Sequence, residues 1–148
     1  MKDDARNGEP SVLTLAQIQE RVSRDPFANS LGIELLELRE GYSRAALTVG
    51  ENMLNFHGLP HGGAIFSLAD AAFGAACNAH GQVSVALNVT IHFLAAMPAG
   101  TRLYAEATEE SRTRRIGLYR MAVTTEDGAL VALCHGTAYC RDELLTAA

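Results

Sequence analysis

The sequence predicts an α+β domain, a largely antiparallel sheet packed on one long helix, from three features. Gly62 to Asn78 is rich in Ala and Gly and apolar on nearly every side, which suits a helix enclosed by other structure. Runs of alternating apolar residues flank it, giving the order ββαββββ. Turn signals at Pro98-Ala99-Gly100 and Glu126-Asp127-Gly128 then reverse the chain between later strands.

The elements follow in order. Met1 to Pro10 is polar and acidic and reads as a mobile lead-in. Ser11 to Arg24 carries Val12, Leu15, Ile18 and Val22 at helical spacing, with Thr14 as N-cap, and predicts a first helix on the outside of the domain. Asp25-Pro26 ends it, with room for a further short helical turn over Asp25 to Ser30. The domain proper is expected over residues 25–148, with residues 1–24 as a tail and short helix. Ile33 to Arg39 and Tyr42 to Val49 read as strands joined at Glu40-Gly41, with Ser43, Ala45, Leu47 and Val49 on one face. Glu51 to Pro60 is an irregular loop into the long helix. Val83 to Phe93 reads as a strand with Val83, Val85, Leu87, Val89, Ile91 and Phe93 on one face and Ser84, Asn88, Thr90 and His92 on the other. Leu103 to Thr108, Ile116 to Thr124 and Ala129 to Tyr139 complete the sheet, with Glu109 to Arg115 as a charged turn.

At 148 residues the chain fits one domain with an adequate core. A net charge of −5 without a basic stripe argues against a nucleic-acid partner. The three cysteines, Cys77, Cys134 and Cys140, lack metal-ligand spacing and read as buried thiols in a reducing compartment. Met1 to Pro10 has no apolar signal-peptide core, and the uncharged stretches are broken by His, Asn, Gly and Pro. The expectation is a cytoplasmic protein with no membrane partner.

One acid stands out. From Asn52 to Thr101 the sole charged Asp, Glu, Lys or Arg is Asp70, in the middle of the long helix. A carboxylate in apolar surroundings costs free energy, so such a residue usually has a task or a partner. Gly62 and Gly63 open the same helix, where unpaired N–H groups and the dipole can polarise a ligand oxygen, although two glycines equally suit close packing on the sheet. Eight residues separate Gly62 from Asp70, a rise of about 12 Å, so both cannot touch one reacting carbonyl within one chain. If both are functional, two such helices packed antiparallel about a two-fold axis would bring Gly62 of one chain to Asp70 of the other and make two shared sites. Asn55 offers an amide to a water or carbonyl, or caps a turn. His57 and His61 have metal-like spacing, but Gly58 and Pro60 intervene and no third ligand is evident, so no metal is expected. His61 reads as a loop residue that bonds backbone or touches substrate, and Ser84 as a strand hydroxyl.

Asn55…His61-Gly62-Gly63…Phe66-Ser67-Leu68-Ala69-Asp70, with DPFANSLGI before and NVTIHFLAAMPAG after, resembles the signature of hotdog-fold acyl-CoA thioesterases, most of all the phenylacetate-degradation (PaaI-type) group. The resemblance covers roughly Asp25 to Arg141. It implies a sheet wrapped around the central helix, homodimers often paired into homotetramers, and active sites at the dimer interface. By position it implies Asp70 as nucleophile or general base, the Gly62 N–H as polariser of the thioester carbonyl, and Asn55 as the residue that positions water or carbonyl. His61 and Gly63 would shape the substrate loop, and Ser84 would help orient the water. Relatives hold the nucleotide end of coenzyme A with basic residues near a strand turn, for which Arg112, Arg114 and Arg115 are candidates, though a solvated turn balanced by Glu109 and Glu110 explains them equally. Leu94-Ala95-Ala96-Met97 departs from the Leu-Arg-Pro common in those relatives.

The expected activity is therefore hydrolysis of an acyl- or arylacetyl-CoA thioester, with no cofactor beyond the coenzyme A of the substrate. Two rivals stand beside it: a hotdog dehydratase or hydratase using His57 or His61 with Asp70, and a non-catalytic acyl-CoA-binding module.

Overall fold

A computed structural model describes residues 8–147; of the lead-in expected over Met1 to Pro10, residues 1–7 lie outside the described residues. Helices α1 (Leu15–Val22) and α2 (Pro26–Leu31) precede strands β1 (Glu34–Arg39) and β2 (Tyr42–Thr48). A single 3-10 turn, Glu51–Met53, leads towards α3 (Gly62–Asn78), followed by β3 (Gln82–Phe93), β4 (Arg102–Arg112), β5 (Ile116–Thr125) and β6 (Leu130–Leu144). The strands form one six-stranded sheet in the order β1-β2-β4-β5-β6-β3. Every pairing is antiparallel. Because α3 joins β2 to the opposite edge strand β3, it must cross the sheet.

Local chemistry sets the helix boundaries. Thr14 and Gln17 form a reciprocal capping box on α1. The Asp25 carboxylate accepts the Ala28 N–H at 2.9 Å, Pro26 begins α2, and Gly32 ends it at φ 75°. The expected turn at Asp25 to Ser30 is thus a capped short helix. Ile18 of α1 is buried beside Leu38, Ala75 and Ala79. The segment before α1 also bonds the C-terminal end, with Leu13 N–H donating to the Leu145 carbonyl at 2.9 Å.

Small residues govern the main core. Leu68, Ala69, Ala72, Phe73, Ala76 and Cys77 of α3 are buried against Ala45, Leu47, Ala105, Ala107, Met121 and Ala138 of the sheet. With methyl groups on both surfaces, the helix backbone can approach the strands closely. The fully buried Ser43 hydroxyl donates to the Ala72 carbonyl and so ties β2 to the helix. Ser43, Ala45, Leu47 and Val49 are all buried, as their shared face predicts. The one large ring on this surface of the helix, Phe73, meets Tyr119 at 5.4 Å between centroids and lies over Gly136.

The strands correct three expectations. β3 is not one uninterrupted alternation: its register to β6 shifts between Ala86 and Asn88. The extra residue reverses the parity. Val85 and Leu87 are consequently exposed, while Ser84 is buried. β4 continues to Arg112, so Glu109 to Arg112 is strand rather than turn. There Glu109 accepts bonds from the Tyr119 hydroxyl and the His80 ring, each at 2.6 Å. Burial pushes the Glu109 carboxyl up, but these bonds outweigh it and hold the group below the ordinary glutamate range. β6 runs to Leu144, beyond the expected Tyr139.

The cysteines are all buried and unpaired in disulfides. Burial pushes the Cys77 thiol up to about 12 and the Cys134 thiol up to about 11, so neither is a ready nucleophile. Among the described residues no helix is long and apolar enough to cross a membrane.

A Cβ at Gly136 would stand 3.0 Å from the Phe73 ring and 3.2 Å from the Met121 terminal methyl. Gly136→Ala is expected to lose about 1–3 kcal/mol through overpacking, read as a lower urea midpoint at unchanged m-value.

Candidate active site

The loop before α3 is built from its own backbone. Asn55 N–H donates to the Leu59 carbonyl at 2.7 Å, and His61 N–H donates to the Met53 carbonyl at 2.7 Å. Gly58 makes the reversal at φ 76°, where a side chain would be strained. The Asn55 side-chain carbonyl accepts the N–H groups of His57 at 2.9 Å and Leu59 at 3.2 Å. Its NH₂ group has no acceptor among the described residues and is free to donate.

His61 is the N-cap of α3. Its Nδ1 accepts the Gly63 N–H at 2.8 Å, which fixes the neutral tautomer with the proton on Nε2. The glycines divide the two roles open to them. A Cβ on Gly63 would stand 3.0 Å from His61 Nδ1, so its small size serves the cap. Gly62 lies against Phe93, where a Cβ would come within 3.1 Å of the ring. The Gly62 N–H finds no acceptor among the described residues, at the positive end of a 17-residue helix. Close packing and a free donor coexist at one residue.

Asp70 stands elsewhere. The helix is not covered on every side: Gly63 and Asp70 are exposed, and Phe66, Ser67, Ala71, Gly74 and Asn78 are half-buried. From Phe66 to Asn78 this stripe forms one wall of a cavity of about 490 Å³, closed opposite by the α1–α2 turn, α2 and the β1–β2 pair. Asp70 makes no hydrogen bond or ion pair among the described residues. Its carboxyl is raised above the ordinary aspartate range, first by loss of water to the surrounding wall and then by the negative charge of Asp25.

Asn55, Gly62 and Phe93 line a different cavity of about 450 Å³, completed by Leu94 to Met97. No residue borders both cavities. The donor pair at the start of α3 and the unpartnered acid midway along it thus lie in separate cavities of one chain.

The remaining candidates take structural positions. Asn78 clamps Ser84, accepting its N–H at 2.9 Å and donating to its carbonyl at 3.1 Å. The Ser84 hydroxyl is turned to the Gln82 carbonyl at 3.3 Å. Arg114 and Arg115 both hold Asp142, at 3.0 and 2.7 Å, and the Arg114 bond leads in keeping that carboxyl below its usual range. For Arg114 and Arg115 the balancing acid is thus Asp142 rather than Glu109 and Glu110, whereas Arg112 donates to Gln82 and its charge helps keep Glu109 ionised. Asp25, Phe66 and Asn78 border the Asp70 cavity without having been singled out in the sequence. For Asn78 a signal existed, since it lies two turns beyond Asp70 on the same stripe.

Comparison with known proteins fits this arrangement. The sequence profile of the thioesterase superfamily matches residues 43–132. Acyl-coenzyme A thioesterase PaaI of Escherichia coli K12 is 38% identical over 115 residues, covering 78% of this chain and 82% of that protein. A putative esterase of Archaeoglobus fulgidus is 37% identical over 134 residues, covering 87% of each chain. The structure of the E. coli PaaI protein from the phenylacetic acid degradation operon superposes with a TM-score of 0.84 at 34% identity, covering 92% of this chain and 100% of that one. A six-stranded antiparallel sheet crossed by one long helix is the hotdog architecture. The chain belongs to the thioesterase superfamily, within its PaaI-type group.

The raised Asp70 carboxyl has a stability consequence with a definite sign. An acid that binds its proton more tightly in the fold than in the unfolded chain destabilises the fold wherever both states are ionised. The penalty is complete above the folded value and absent below the ordinary aspartate range. Asp70→Asn is therefore expected to melt at a higher temperature than the parent at neutral pH, and the gap should close on acidification through that range. Equal melting temperatures at neutral pH would contradict this.

Proposed function

We propose that the protein hydrolyses acyl- or arylacetyl-CoA thioesters to the free acid and coenzyme A, at sites shared between two copies of the chain. The observation that carries this reading is the separation of the half-sites into two cavities, with a rise of about 12 Å along α3 between Gly62 and Asp70. One chain holds a carbonyl polariser without a base beside it, and a base without a polariser. The E. coli relative, named an acyl-coenzyme A thioesterase, supports coenzyme A as the leaving group.

The exposed edge of the sheet favours a two-fold partner. β3 is an edge strand of 12 residues with Val85, Leu87 and Phe93 exposed at 39%, 58% and 53%. An edge of this length and character calls for covering. Pairing β3 to β3 about a two-fold axis continues the sheet and sets two α3 helices antiparallel, so that each helix start approaches the other's midpoint. Further pairing into a dimer of dimers is the arrangement that the resemblance implies.

The chemistry follows from the groups. The thioester oxygen accepts from the Gly62 N–H and the Asn55 NH₂, which stabilise the oxyanion as it forms. Asp70 of the other chain takes the proton of a water that attacks the carbonyl carbon, and its raised proton affinity makes it a stronger base than an ordinary aspartate. Collapse of the tetrahedral intermediate breaks the C–S bond and expels the thiolate. Direct attack by Asp70, with an acyl anhydride that water then cleaves, uses the same groups. The dehydratase reading has less support within one chain, because neither His57 nor His61 borders the Asp70 cavity and His61 commits Nδ1 to its own helix. Arg114, exposed, and Arg115, half-buried, stand on the β4–β5 turn and suit the phosphates of coenzyme A, for which Asp142 would be exchanged.

Thiol release from a panel of acyl-CoAs tests the reading. Asp70→Ala and Asn55→Ala proteins are each expected to keep their circular dichroism, with Asp70→Ala losing about 10²–10⁴ in kcat. Unfolding and refolding the two variants together should restore about a quarter of wild-type turnover, because half of randomly paired dimers then contain one intact site. Two inactive variants that stay inactive when mixed, or a fully active monomer, would refute the shared site.

A further inference from the structure

The Asp70 cavity is the one place beside the proposed base where an acyl group can lie, so this inference rests on the catalytic reading above. Its volume of about 490 Å³ falls within the roughly 300–1,000 Å³ of small-molecule sites. Val22, Phe27, Ile33, Leu35 and Phe66 supply apolar surface. Among the described residues its wall carries two ionisable side chains, Asp70 and Asp25, both acids, and no Lys, Arg or His.

Asp25 is held in place rather than free to swing away. Its carboxylate oxygen caps α2 through the Ala28 N–H at 2.9 Å, its N–H donates to the Val22 carbonyl at 3.0 Å, and its carbonyl accepts the Asn29 N–H at 3.0 Å. No cation pairs with it among the described residues. Asp25 lines this cavity from the wall opposite Asp70, and it also borders the neighbouring groove that carries Arg21 and Arg24.

We propose that Asp25 makes this cavity selective for uncharged acyl groups and against acyl chains that end in a carboxylate. An anionic terminus would give up water for an apolar wall, meet two fixed carboxylates and find no cation. A neutral aliphatic or aryl group loses nothing polar on entering. The acid at residue 25 therefore sets the substrate class of the site, while its capping bond keeps the acid aimed.

Octanoyl-CoA and suberoyl-CoA, equal in chain length and differing in the terminal carboxylate, form the test pair. The wild-type protein is expected to favour octanoyl-CoA by about 10- to 100-fold in kcat/KM, the scale of one like-charge contact in a partly screened site. Asp25→Asn and Asp25→Ser both retain a capping side chain, and each should reduce that preference by about tenfold, with circular dichroism and melting temperature near those of the parent. Calorimetric binding of the same two compounds to Asp70→Asn reads the preference without turnover, so that absent hydrolysis would count against the catalytic reading and not against this one. Equal handling of the two compounds by the wild type, or a preference unchanged in both folded Asp25 variants, would overturn the proposal.

Discussion

The contact between α3 and the sheet, methyl group against methyl group, decides where everything else in this molecule can be. Alanines at 69, 72 and 76 face alanines at 45, 105, 107 and 138, and the Ser43 hydroxyl bonds the helix backbone directly. One large ring, Phe73, fixes the rotation of the helix because its space exists only over a residue without a side chain, Gly136. Once rotation and height are fixed, the stripe that cannot touch the sheet is fixed too. Asp70 is on that stripe. The position of Asp70 is thus set by residues that, Ala45 apart, lie outside its cavity.

Two acids of the same chain show how environment divides their roles. Glu109 is partly buried but accepts from Tyr119 and His80, and its ionised form is the favoured one. Asp70 has no such donors and faces the charge of Asp25, so its ionised form is the disfavoured one. The first acts as a clasp between β4, β5 and the end of α3. The second lines a cavity with no partner to favour its charge, the kind of environment in which perturbed acids are found at functional sites.

Much of this was readable from residues alone. α3 begins at Gly62 and ends at Asn78 as the apolar Ala/Gly run predicts, because capping by His61 and the change to β-branched residues after Gly81 are local signals. The shared face of β2 follows from simple alternation. The bulge in β3 does not, since Val85-Ala86-Leu87-Asn88-Val89 satisfies either parity and only pairing with β6 selects one. Extension of β4 through Glu109 was hidden for a similar reason: charged residues read as turn until partners 10 and 29 positions away, Tyr119 and His80, are in place. The acid at the helix centre and the donors at its start were legible as residue types at a spacing. The cavity that joins Asp25 to Asp70 was not, because it exists only after α2 folds back over α3.

The loop that carries Asn55 has a kinetic implication. Its amide is oriented by two N–H groups of the loop's own backbone, and the turn is closed by bonds from Asn55 and His61. The entropy of fixing this donor is spent during folding and not at each encounter with a ligand. The amide is therefore oriented before any ligand arrives.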